Sequence, residues 1–121
     1  MINKILIVND DKDMLDVLEM IFIHQQYQVE IYDSTDDIEV RLEKYQPDLI
    51  ILGFFDQHQP KGSFISKLKK MLNHFKIPII ILSQNEDISA TFPKNIFIVN
   101  PSDLFFLSNQ VKRIFRENIV N

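Results

Sequence analysis

Five short apolar runs rich in β-branched residues alternate along the chain with longer stretches whose apolar positions recur at helical spacing. The runs are KILIVN at 4 to 9, YQVEIY at 27 to 32, DLIILG at 48 to 53, PIIILS at 78 to 83 and NIFIV at 95 to 99. The first, third and fourth are apolar at consecutive positions, which suits strands covered on both faces. In the second, Gln28, Glu30 and Tyr32 alternate with apolar residues, as at the edge of a sheet.

Between the first two runs, Met14, Leu15, Leu18, Ile21 and Phe22 mark an amphipathic helix over about residues 12 to 25. A second helix is expected to start at Ser34, where Ser-Thr-Asp-Asp offers a side-chain cap and a carboxylate three residues on, with Ile38, Leu42 and Tyr45 turned inward. Pro47 then leads into the third strand. A third helical run near 63 to 75 carries Phe64, Leu68, Met71, Leu72 and Phe75. The last helix is expected to open at Ser102 after Pro101, with Leu104, Leu107, Val111 and Ile114 facing the core. Residues 84 to 94, QNEDISATFPK, leave room for a short helix at most, closed by Pro93.

Strand and helix alternating five times imply an α/β fold: a parallel five-stranded sheet, doubly wound, with helices on both faces. Such sheets place their working groups at the carboxyl ends of the strands, beside the point where strand order reverses. Those ends carry Asn9, Asp10 and Asp11, then Gly53, then Ser83 and Gln84, then Asn100 and Pro101.

Composition narrows the function classes. A chain of 121 residues, 45% of them hydrophobic and 25% charged, suits one domain over residues 1–121. Thirteen Lys and Arg against seventeen Asp and Glu give a formal net charge of −4, which provides no footprint for a phosphate backbone and argues against direct nucleic-acid binding. The longest apolar runs are far too short to span a bilayer. Met1 leads almost at once into a strand rather than an export signal, so the cytoplasm is the expected location. The absence of cysteine removes disulfides, thiolate metal sites and thiol nucleophiles.

At this point the chain resembles the receiver domains of two-component response regulators. ILIVNDD at 5 to 11 is similar to that family's first strand with its acidic pair, and PDLIILG at 47 to 53 to the strand that carries the phosphoacceptor aspartate. PIIILS at 78 to 83 is similar to the strand ending in Ser or Thr, and FIVNP at 97 to 101 to the strand ending in Lys-Pro. The resemblance runs from Lys4 to about Arg116. It implies a flavodoxin-like, CheY-like (βα)5 fold with strand order 2-1-3-4-5, and a role in phosphorelay signalling rather than enzymatic turnover.

The chemical positions depart from the family pattern. Gly53 stands where the family has its phosphoacceptor, Asn9 stands for the first acid of the pair, and Asn100 stands for the phosphoryl-contacting lysine. Asp10 matches the second acid, usually a direct magnesium ligand; Ser83 matches the hydroxyl; Phe97 falls on the switch aromatic. Glycine has no nucleophile with which to accept a phosphoryl group. Magnesium prefers an oxygen cage with one or two carboxylates plus phosphate, and Asp10, helped at most by Asp11, makes a weak site. No cofactor is expected. Clustered carboxylates repel one another by on the order of a few kcal/mol, offset in the family by lysine and metal. Here the charges on both sides are missing together, which describes a pocket neutralised rather than damaged.

Each of these residues also has a purely structural use. Asp10 and Asp11 suit capping of the first helix. Ser83 suits a backbone hydrogen bond, Asn100-Pro101 suits a turn with the proline bond cis, and Phe97 suits the core. The loop FDQHQPKG at 55 to 62 adds Asp56 and His58 near the pocket; Asp56 is a displaced-acceptor alternative without strand-fixed aim, and His58 lacks a second metal ligand at recognisable spacing. His24 and His74 sit near helix ends, where positive charge is favourable.

In the family, the phosphorylation signal reaches a face made by the fourth helix, fifth strand and fifth helix. Here that face carries Phe92, Phe105, Phe106 and Phe115, more aromatic residues than the inward stripe of the last helix needs. Phe105 or Phe106 is expected at the surface, as an anchor for a partner protein or for a second copy in a homodimer, with edge packing as the structural alternative. The leading expectation is a phosphorylation-independent receiver-like interaction module. The alternatives are an active receiver using Asp56 or Asp10, and a flavodoxin-like small-ligand binder; against the latter, no glycine-rich or Ser/Thr-rich phosphate cradle follows strands one and three.

Overall fold

The computed structural model describes residues 3–34, 37–53, 70, 76–83 and 96–120, with side chains of the last helix as far as Glu117. Five strands form one sheet: β1 (Lys4–Val8), β2 (Gln28–Tyr32), β3 (Leu49–Gly53), β4 (Ile79–Leu82) and β5 (Ile96–Val99). Their order is β2-β1-β3-β4-β5 and every pairing is parallel. The strand expected to be peripheral is at the edge, and the three with continuous apolar runs lie inside. The helical run near 63 to 75, the segment 84 to 94 and the loop with Asp56 and His58 lie outside the described residues, apart from Lys70, which is helical. His74 and Phe92 lie outside them too.

Because side chains alternate across a strand, each apolar run feeds two cores. Ile5, Ile7, Leu49, Ile51, Ile80, Leu82 and Val99 face α1 (Lys12–His24) and the C-terminal helix (Leu104–Val120), meeting Leu15, Leu18, Phe22, Leu107, Val111 and Ile114. Leu6, Val8, Ile50, Leu52, Ile79, Ile81 and Ile96 face the other way, where α2 (Ile38–Tyr45) adds Ile38 and Leu42. The doubly wound layering thus follows from consecutive apolar residues within a strand.

The helix ends show how the backbone is finished. Asp11 caps α1, its carboxylate accepting from the N–H groups of Asp13 and Met14 at 3.0 and 3.3 Å. At the other end Gln26 takes a left-handed conformation, φ 72°, while its N–H donates to Ile23 and that of Tyr27 donates to Phe22. This is a Schellman closure, and the Tyr27 ring packs 6.0 Å from that of Phe22 to complete it.

Three expectations about helices need correction. Helix α2 begins at Ile38 rather than Ser34, behind Asp37, whose φ of 57° is left-handed and whose side chain makes no capping bond. Residues upstream of Ile38 offer no apolar group to bury against the sheet, so nothing draws the helix backwards. The C-terminal helix starts at Leu104, capped not by Ser102 but by Asp103, which accepts from the Phe106 N–H at 3.0 Å. Phe115, counted among the surplus surface aromatics, is 6% exposed and packs 5.2 Å from the Tyr27 ring.

Candidate functional site

Parallel strands end together, so the registers Val8 with Leu52, Gly53 with Leu82 and Leu82 with Val99 gather the residues just beyond β1, β3, β4 and β5 at one end of the sheet. The order reverses between β1 and β3, since β2 lies on one side of β1 and the later strands on the other. Asn9 and Gly53 sit at that reversal, where open α/β sheets form their crevice. Ser83 follows β4, 4% exposed, its N–H donating to the Val99 carbonyl at 3.0 Å. Asn100 follows β5.

Asn9 is buried, 7% exposed, and its backbone N–H donates to the Tyr32 carbonyl at 3.1 Å. Its Oδ1 accepts from the Asp11 N–H at 2.8 Å, which leaves the amide nitrogen directed towards Gly53. The space above Gly53 is therefore taken. A side-chain carbon placed on Gly53 would overlap the Asn9 amide, with even Oδ1 only 2.9 Å away. In the sequence alone Asn9 and Gly53 are two missing charges; that one occupies the space of the other becomes visible only once β1 lies beside β3.

The remaining polar positions are largely engaged in local turns. The Asp11 carboxylate is occupied with the first turn of α1. The Asn100 Oδ1 accepts from both the N–H and the Oγ of Ser102, at 2.9 and 2.8 Å, forming an Asx turn that delivers the chain to Asp103. Among the described residues no peptide bond is cis, so Asn100-Pro101 is trans, contrary to expectation. Asp10 is exposed at the rim. Among the described residues no group of three or more His, Asp or Glu could hold a metal ion.

Phe97 is partly buried and packs against the core shared by α1 and the C-terminal helix. Phe105 and Phe106, by contrast, are 80% and 50% exposed. Asp56 lies outside the described residues. A separate open cleft of about 440 Å³ runs between β2 and α2, lined by Glu30, Tyr32, Arg41, Lys44 and Tyr45 among others. There the Arg41 guanidinium lies 3.4 Å from the Tyr32 ring centroid and 3.8 Å from Glu30, so its charge is already engaged.

No family model matches the chain. The response regulator ArlR of Staphylococcus aureus is 29% identical over 119 residues, covering 93% of this chain and 52% of that protein. The chain thus spans about half the length of the curated relatives it matches. Among solved structures, the signal receiver domain of a DNA-binding response regulator from Colwellia psychrerythraea superposes with a TM-score of 0.70 at 20% identity, covering 94% of this chain and 98% of that one. A CheY-like receiver domain from Methanospirillum hungatei gives 0.68 at 20% identity, covering 100% of both. The chain has the CheY-like receiver fold and is similar in sequence to response regulators. No described helix is long and apolar enough to cross a membrane.

Proposed function

We propose that this chain is a receiver-like domain of two-component signalling that works by protein contact and without phosphorylation. The observation carrying this reading is at the carboxyl end of β3. Where receivers keep an acceptor carboxylate this chain has Gly53, and the neighbouring space is filled by the neutral amide of Asn9. Phosphoryl transfer needs an aimed nucleophile, and glycine has none. Similarity to response regulators supports the signalling context, while engagement of Asp11 and Asn100 in turns supports a pocket without magnesium.

The contact surface in this reading is the face of β5 and the C-terminal helix that presents Phe105 and Phe106. Two adjacent exposed aromatic rings are costly to leave in water and suit burial against a signalling protein or a second copy. The domain is neither an enzyme nor a nucleic-acid binder in this account, and it works in the cytoplasm.

Incubation with magnesium and acetyl phosphate, followed by intact mass measurement, tests the central point. The expected spectrum is that of the unmodified chain. A stoichiometric phosphoryl adduct would overturn the reading, and mapping it to Asp10 or Asp56 would establish a displaced acceptor instead.

A further inference from the structure

Nothing in the backbone of residue 53 calls for glycine. No glycine among the described residues has a positive φ, and glycine inside a strand ordinarily weakens it. The requirement comes from Asn9. Its position is held from two sides, by the Tyr32 carbonyl through the backbone and by the Asp11 N–H through Oδ1, and at 7% exposure it has little room to swing away.

We propose that Asn9 is a plug. Its side chain occupies the seat that an acceptor side chain on residue 53 would need and, through the Asp11 N–H, ties that seat to the first turn of α1. The pocket is thereby closed by volume as well as emptied of charge, and a carboxylate returned to position 53 alone finds its place taken. This rests on the reading of the domain as unphosphorylated, but makes a separate claim: residues 9 and 53 are sterically dependent on each other.

A thermal-unfolding cycle over wild type, Asn9→Ala, Gly53→Ala and the double variant tests it. Gly53→Ala in the wild-type background is expected to lower Tm by about 3–10 °C, the usual consequence of forcing an extra carbon into a filled site. In the Asn9→Ala background the same change leaves Tm unchanged or raises it, because the space is open and alanine restricts the unfolded chain more than glycine does. Asn9→Asp, which keeps the shape, retains the penalty. If Gly53→Ala does not fold while the double variant does, the plug is supported. Additive Tm shifts, or a double variant that fails to fold although Asn9→Ala folds, would overturn it. Failure here is distinct from failure of the functional reading: a phosphoryl adduct on the wild type refutes that reading, whereas additivity refutes only the plug.

Discussion

Tyr45 lies on α2 with its hydroxyl donating to the Gln28 carbonyl at 3.1 Å and the Lys4 ammonium 5.5 Å from its ring. Burial first, and then the negative charges of Glu30 and Asp48, push its phenol up from the ordinary 10.0 to about 12. A group whose pKa is raised by folding stabilises the native state fully below its unfolded pKa. That contribution is lost as pH climbs from about 10 through about 12. Replacing Tyr45 with Phe should therefore remove a step near pH 12 from a phenolate absorbance titration and flatten the decline of stability across that alkaline window. A Tyr45 phenolate forming at the ordinary value would contradict this. Asn9 also shows what a single residue can hold: its backbone N–H serves a strand end while its side-chain amide serves a turn and fills the space over Gly53.

At the scale of elements, α2 is the shortest of the described helices. Eight residues are too few to be helical alone, so its stability comes from docking, and only Ile38 and Leu42 are buried. Leu42→Ala should cost about 2–5 kcal/mol, while Val40→Ala, on the exposed side, should stay within about 0.5 kcal/mol. Urea denaturation distinguishes the two, and equal effects would mean that α2 is not held by this stripe. The same period read the C-terminal helix well, since Leu107, Val111 and Ile114 are all buried. Phe115, four residues on from Val111 and eight from Leu107, falls on that same stripe rather than on the surface, and its ring packs 5.2 Å from that of Tyr27. The starts of α2 and of the C-terminal helix were misplaced because capping residues are abundant near both, and only docking selects which one is used.

For the molecule as a whole, the two cores leave one side of the C-terminal helix with nothing described to cover it. Phe105 and Phe106 belong to neither core formed by the described residues, so Phe105→Ser/Phe106→Ser should leave the unfolding midpoint nearly unmoved. If a second copy is the partner, sedimentation at rising concentration should show the wild type gaining mass and the variant remaining a single chain. A wild type that stays single throughout would rule out a second copy as the partner. A net charge of −4 is too modest to prevent such an approach at physiological salt.

Local pattern determined the strands, their internal or edge character and the faces of α1 and the C-terminal helix, because a period of two or 3.6 is written within a few neighbouring residues. It also determined that position 53 carries no nucleophile, a matter of residue identity alone. What tertiary structure decided was where distant residues meet: Asn9 over Gly53, Phe115 against Tyr27, Asn100 turned back on Ser102 rather than out towards a ligand. Such contacts depend on register between strands and on the volume left once the sheet has formed. Neither quantity exists until the chain is folded.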